Sequence, residues 1–409
     1  MPKDLRSFLR DLTAGAPADL VTIDREIDPK FEITALQRHL EREGRSPTLL
    51  FKNVRNLRGE PSGFRLVTNV FADRRKCAVA LDLPRNQWRM ETSFEFARRA
   101  RERVKPVVVS REEAPVKEVV KVGKEANLFD LPVVTHHEMD GHPYLVDAII
   151  AADPDTGVYN SSHHRMLVKD HDKLGLWMSP RHLWDYFRRA EEWGEPLPIA
   201  HVLGHHPGFY LASEAICPMA DDELEVIGGV LGEPLRLVPS EAFGSRLMVP
   251  AEAEIVVEAE VLPGVREPEG PFGEFTGYYG PQRWSPVAKV RAITHRRDAM
   301  YLNILVGHAD TSILGGIPKE AGIYEEIRRA VPNVRAVHFP ISGCCRFHAY
   351  ISIDKKVDGQ GVVAGMAAFP HHDELKHVVV VDSDVDAFNE ADVMERIRPE
   401  EWLKEGDKR

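Results

Sequence analysis

Cysteine is scarce in this chain: four among 409 residues, Cys77, Cys217, Cys344 and Cys345. None shows Cys-x-x-Cys spacing, and adjacent Cys344 and Cys345 would be strained as a disulfide, so neither a disulfide scaffold nor a structural zinc site is expected. Clustered basic residues are missing as well. The formal charge is −11 and no Lys/Arg block with interleaved aromatics occurs, which argues against nucleic acid or anionic membrane as the main partner, because phosphate binding needs concentrated cations. No apolar run approaches a membrane span. The first twenty residues, with Lys3, Asp4, Arg6, Arg10 and Asp11, lack the apolar stretch of a signal peptide, and a cytoplasmic location is expected. There is no His-Glu-x-x-His, no Gly-x-Gly-x-x-Gly, no internal repeat and no low-complexity tract. What remains, 43% hydrophobic and 29% charged residues, is ordinary for a globular enzyme. Its length suits two or three domains of about 150 residues each.

The pattern along the chain divides it into three. Leu5, Phe8, Leu9 and Leu12 lie at helical spacing, as do Ile33, Leu36 and Leu40, and the charged run 94–104 is helical. With strand-like runs at 47–51 and 107–110, this predicts an α/β domain over residues 1–115. Strand signals dominate residues 116–300: 116–122, 145–152, 166–168, 199–203, 255–261 and 287–294, the last expected to meet 301–306 across a turn at Arg296-Arg297-Asp298. Only 182–192 and 223–231 read as helices there, which points to a barrel or half-open β domain. Residues 301–409 return to α/β character, with helices at 321–331 and 391–397 and strands at 349–353 and 378–381.

Residues 269–279 read Glu-Gly-Pro-Phe-Gly-Glu-Phe-Thr-Gly-Tyr-Tyr. Proline removes a donor and glycine permits left-handed dihedrals, so this is a shaped loop holding two acids, Glu269 and Glu274, beside Phe272, Phe275, Tyr278 and Tyr279. Such a loop suits controlled proton transfer, although a tight turn with solvated carboxylates has the same composition. Histidine is plentiful, 18 in all, with four adjacent pairs. Neighbours on a strand point to opposite faces and do not readily share a metal. His136-His137-Glu138 reads better as a hydrogen-bonded loop. Asn160-Ser161-Ser162-His163-His164-Arg165 leads into the strand from Met166, and its polar groups suit a phosphate, a cation or a carboxylate. By itself it also reads as a hydrophilic hairpin tip.

Together, the 269–279 segment and Asn160 five residues before Arg165 resemble the UbiD family of reversible, non-oxidative decarboxylases. Arg181-His182 opening a helix, residues 204–213, Glu223 starting a helix that ends at Gly232, and the block 343–349 are similar to family stretches, so the resemblance covers most of the chain. It implies an N-terminal α/β domain, a split β-barrel of flavin-reductase-like shape, and a C-terminal α/β domain that mediates oligomerisation. It implies prenylated FMN, supplied by a separate flavin prenyltransferase, with Mn²⁺ and K⁺. Carried over by position, Asn160, His182 and Glu223 are the metal ligands, a hard-to-borderline set suited to Mn²⁺. Ser161, Ser162, His163, His164, Arg165 and Arg181 join them around the cofactor, and Arg165, Glu269 and Glu274 form the acid–base network. The family often carries Gln where Arg181 stands. The C-terminal cofactor contact is open among His371, His372 and Lys376, and the pocket is expected from loops 205–210 and 311–318.

Loss of CO₂ from an unsaturated or aromatic acid leaves an electron pair that no side chain can delocalise, so a cofactor must. The protein's share is then positioning and protonation: Arg165 orienting the carboxylate, Glu274 giving the proton, Glu269 tuning both. Two carboxylates and one guanidinium titrate as a coupled set. The resemblance implies a small carboxylic acid as substrate and a homodimer or a hexamer of dimers as the assembly. Two other classes fit parts of the pattern: an FMN-binding oxidoreductase, and a non-catalytic subunit of a multi-subunit carboxylase.

Overall fold

A computed structural model describes residues 2–397; the last twelve residues of the expected third segment lie outside it. In chain order, α1 (Leu5–Gly15), β1 (Leu20–Ile27), α2 (Glu32–Arg42), β2 (Thr48–Val54), β3 (Arg65–Thr68), α3 (Arg74–Ala80) and α4 (Met90–Arg101) come first. The helix α1 forms where the spacing predicts it. Asp4 accepts from the Ser7 amide at its N-terminus, and Leu5, Phe8, Leu9 and Leu12 are buried along one face.

The central stretch holds β4 (Val107–Val108), β5 (Val119–Val122), β6 (Tyr144–Leu145), β7 (Ala148–Ala152), β8 (Tyr159–His163), β9 (Met166–Asp170), β10 (Lys173–Leu176), α5 (His182–Glu192), β11 (Leu197–Leu203), α6 (Pro207–Ala212), α7 (Glu223–Leu231), β12 (Arg236–Ser240), β13 (Gly244–Pro250), β14 (Ile255–Glu269), β15 (Phe272–Gly273), β16 (Tyr279–Gly280), β17 (Arg283–His295) and β18 (Met300–Asn303). Its main sheet runs β6-β9-β10-β17-β14-β11-β7-β8, with β5 added on β17. Alternate residues feed two cores, one per face: Ile149, Ile199 and Val257 enter one, Ile150, Val202 and Val256 the other. Register shifts between β14 and β17 at Glu258/Ala259 and Val261/Arg266 mark irregularities of the kind that bend long strands, and the sheet curls into a half-barrel. Strand β8 is one edge and β9 lies next to the other, yet His164 and Arg165 alone connect them. That short link draws the two edges together without a ladder between them.

The remainder is α8 (Ala309–Ala330), β19 (Val334–His338), β20 (His348–Ile353), α9 (Gln360–Ala368), β21 (His377–Asp382) and α10 (Glu390–Arg396), with a sheet ordered β19-β20-β21.

The structure corrects one expected strand pairing and shortens one expected strand. The predicted hairpin across residues 296–298 does not form. Instead β18 pairs parallel with β3 and completes the sheet β1-β2-β3-β18, while Arg6 and Arg65 bind Asp298 in the intervening turn. The strand expected at 107–110 is the short β4, which pairs with β12 rather than with the first sheet. One strand boundary and one helix boundary also move. Residues 115–117 form a 3₁₀ turn before β5, and α8 begins twelve residues before the predicted 321. Gly315, Gly316 and Pro318 read as breakers, but here the glycines admit neighbours: a Cβ on Gly316 would meet Cys345 Cβ at 2.8 Å.

Candidate active site

Arg165 sits on the link between the two sheet edges, and Glu269 ends β14. The guanidinium donates from Nε and Nη2 to the two Glu269 oxygens, each at 3.0 Å, in the planar fork that favours carboxylates. Its Nη1 donates to Glu274 Oε1. Phe272 and Trp177 cover it, with its Cζ 4.8 and 5.5 Å from their ring centroids. Burial alone would depress the Arg165 pKa, but hydrogen bonding to Glu269 and the charges of Glu269 and Glu274 raise it, so the group stays cationic. The two acids differ in setting. Glu269 is fully buried behind the arginine, whereas Glu274 opens onto a cavity of about 780 Å³ that Arg165 also lines.

Of the four aromatics expected beside these acids, Phe272 stacks as described and Phe275 lies under Arg346. Tyr278 and Tyr279 are instead exposed, because the strip β15–β16 turns them outward.

The polar run 160–165 is not a hydrophilic hairpin tip. It is largely strand β8, with Asn160 and Ser161 buried. Asn160 Nδ2 and the Ser161 amide donate to Glu223 Oε2 at 3.0 and 2.7 Å, and His182 Nδ1 lies 3.1 Å from Glu223 Oε1. Both His182 and Glu223 are first residues of helices, α5 and α7, whose free amides add partial positive charge. The hydrogen bond to Glu223 raises the His182 pKa. An amide, an imidazole and a carboxylate thus converge from an edge strand and two helix starts, a donor set that fits a divalent cation of the Mn²⁺ type. Ser162 Oγ reaches Asn160 Oδ1 and His164 Nε2, both at 2.9 Å; burial pushes the His164 imidazole down to about 4. His163 Nδ1 lies 3.1 Å from Glu214 Oε1. Arg181 caps α5 at the cavity, its guanidinium exposed and 3.5 Å from Asp373.

Of the cofactor, metal and acid–base residues expected from the sequence, all but Glu269 line this cavity. The sequence did not single out Trp177, Glu214, Ile304, Val306, Lys319 or Arg346, which line it too. Lys319 is partly buried in α8 beside Glu214, at 3.7 Å, and Arg346 is 3.6 Å from Glu374. Loop 205–210 does not line the cavity. It is packed in the core, with the Tyr210 hydroxyl accepting from the His205 amide and donating to the Val202 carbonyl. Residues 213–217 line the wall instead, and Thr311 and Leu314 supply the α8 side as expected. His371 and His372 border the cavity; Lys376 does not, its ammonium resting 4.2 Å over the Phe347 ring. His136 and His137 are held in a loop, by Asn303 and the Val306 carbonyl.

The mixed α/β fold with its curled half-barrel sheet matches solved structures of the UbiD class. The chain belongs to the UbiD family: it matches the N-terminal (15–93), Rift-related (107–309) and C-terminal (312–398) domains of 3-octaprenyl-4-hydroxybenzoate carboxy-lyase. It is 33% identical to the anhydromevalonate phosphate decarboxylase of Methanosarcina mazei, over 91% of this chain and 82% of that protein. The corresponding enzyme of Methanothermobacter thermautotrophicus is 42% identical over 66% of this chain, a match spanning 63% of that protein's length. Phenolic acid decarboxylase of Bacillus subtilis is 34% identical over 96% of this chain and 83% of its own. Among solved structures, an evolved dimeric form of the UbiD-class enzyme HmfF from Pelotomaculum thermopropionicum, in complex with prFMN, superposes with a TM-score of 0.89. It is 40% identical and covers 97% of this chain and 89% of that one.

Proposed function

We propose that this protein catalyses reversible, non-oxidative decarboxylation of an aromatic, heteroaromatic or α,β-unsaturated carboxylic acid with prenylated FMN. The observation that carries this is Arg165, held by buried Glu269 and reaching Glu274 at the wall of a cavity large enough for a cofactor and a small acid. When bound, the prenylated flavin supplies the electron sink for the carbon that loses CO₂. Arg165 receives the substrate carboxylate. Glu269 keeps that guanidinium aimed and its charge balanced from behind. Glu274 delivers the proton that replaces CO₂, and receives it back in the reverse direction.

Asn160, His182 and Glu223 would hold Mn²⁺, and K⁺ belongs to the same reading. Ser161, Ser162, His163, His164 and Arg181 would border the cofactor. Phe272, Ile304, Val306 and Leu314 give the cavity an apolar side that suits a flat unsaturated body. Relatives acting on phenolic acids and on anhydromevalonate phosphate fall on the two sides of this substrate range. All six ligand and acid–base positions gather around one cavity, which weighs against a non-catalytic subunit.

The layout proposed is residues 1–115, 116–300 and 301–409, with the last mediating a homodimer or hexamer of dimers. Val362 and Met366, 71% and 67% exposed on α9, support an assembly surface there. Among the described residues no helix is long and apolar enough to cross a membrane. A cytoplasmic location and supply by a flavin prenyltransferase complete the proposal. Its test is co-expression with that prenyltransferase, followed by the visible spectrum and CO₂ release from phenolic, heteroaromatic and acrylic acids. A flavin-loaded protein inert toward all three classes would overturn it.

A further inference from the structure

Apart from its ion pair with Arg165, the Glu274 side chain has little to hold it in place. Its side chain is 31% exposed, against 0% for Glu269, and its amide makes only a local bond to the Tyr278 carbonyl at 2.8 Å. The segment 136–141 lies against the backbone on either side of it. One oxygen of Asp140 accepts from the Gly273 amide at 2.8 Å, and the other accepts from the His137 amide at 2.9 Å. The Gly141 amide donates to the Pro271 carbonyl at 3.1 Å, and the Met139 amide to the Tyr279 hydroxyl at 3.1 Å. His137 completes the contact. Its ring fills the space beside Gly273 so closely that a Cβ there would lie 2.1 Å from its Cδ2. Its Nε2 donates to the Val306 carbonyl at 3.0 Å, tying the loop to the cavity wall. Behind it, a second cavity of about 390 Å³ is lined by Arg38, His136, His137 and Glu138, so room exists for the loop to shift if the ring is lost.

We propose that Asp140 and His137 are positioning residues for Glu274: their strap over Gly273 sets where the proton donor meets Arg165. The proposal rests on the assignment of Glu274 as donor. Neither residue lines the main cavity, so neither contacts substrate. Loss of the strap lowers the protonation rate and leaves carboxylate binding by Arg165 untouched.

The test uses holoenzyme from co-expression and whichever panel acid the wild type turns over fastest. For Gly273→Ala, kcat falls about 100-fold with KM and the bound flavin spectrum unchanged, because general acid catalysis is worth about 10²–10⁴-fold. His137→Ala lowers kcat about tenfold, His137→Gln restores it by donating again to Val306, and Gly273→Ala/His137→Ala recovers to the level of His137→Ala alone. Wild-type kcat in Gly273→Ala, or no recovery in a folded double variant, overturns the strap. Asp140→Ala gives an independent reading should Gly273→Ala fold poorly: kcat falls with KM held, and an unchanged kcat counts against the proposal. Glu274→Gln is measured alongside. If it is fully active, the donor assignment fails; if it is inactive while Gly273→Ala is active, only the strap fails.

Discussion

Glu269 and Glu274 grip the same guanidinium from unlike surroundings, the first wholly buried and the second facing the cavity. Their substitutions should therefore separate. Glu274→Gln is expected to keep fold and flavin while turnover drops about 10²–10⁴-fold. Glu269→Gln should instead destabilise the protein by about 1–3 kcal/mol, since the buried side of the Arg165 fork loses its charged partner and only Glu274 at the cavity still balances it. Thermal denaturation alongside CO₂ release distinguishes the two.

Arg165→Lys keeps the charge but not the fork. An ammonium cannot serve both Glu269 oxygens and Glu274 at once in the planar geometry observed. Turnover should fall with a raised KM, in contrast to the kcat effect at Glu274, and steady-state kinetics on one acid tests this.

Asn160→Ala and Glu223→Ala remove two of three converging donors. Both should emerge with poor metal and flavin retention, read by elemental analysis and by the visible spectrum. Full retention of both would remove these residues from the metal site.

Glu320 on α8 receives Arg74 of α3 through two bonds of 2.9 and 2.8 Å, joining the first segment to the last. Burial alone would push its pKa up, but the charge of Arg74 and the bonds from His338 and Arg74 bring it down from 4.5 to about 2. A depressed carboxyl contributes stability that is full above about pH 4.5 and is lost as pH falls toward about 2. Urea midpoints should decline across that window, and Glu320→Gln should flatten the decline while lowering stability at neutral pH by about 3–5 kcal/mol.

Local chemistry made some of this legible. The helix at α1 follows from Leu5, Phe8, Leu9 and Leu12, and the sequence pattern alone puts His182 and Glu223 at helix starts. Long-range pairing was not legible. Residues 287–294 and 301–306 look like a hairpin because their apolar patterns agree and a polar turn lies between them. Nothing local reveals that β18 is claimed by β3 or that Asp298 is claimed by Arg6 and Arg65. The same limit hid Lys319 and Arg346, whose place at the cavity depends on glycines admitting neighbouring groups to the side of α8. Loop 205–210 looked polar enough for a pocket, yet its histidines are packed inside the core.

The placement of β18 also bears on how the chain is made. Strand β3 ends at Thr68, but its parallel neighbour ends at Asn303. At ribosomal speeds of about 5–20 residues per second, roughly 10–50 s separate their synthesis. Throughout that interval the newborn first sheet carries an unsatisfied edge, the kind of surface that invites wrong partners. Chaperone engagement of nascent chains should thus be strongest before residue 303 emerges, and should fade once that strand docks.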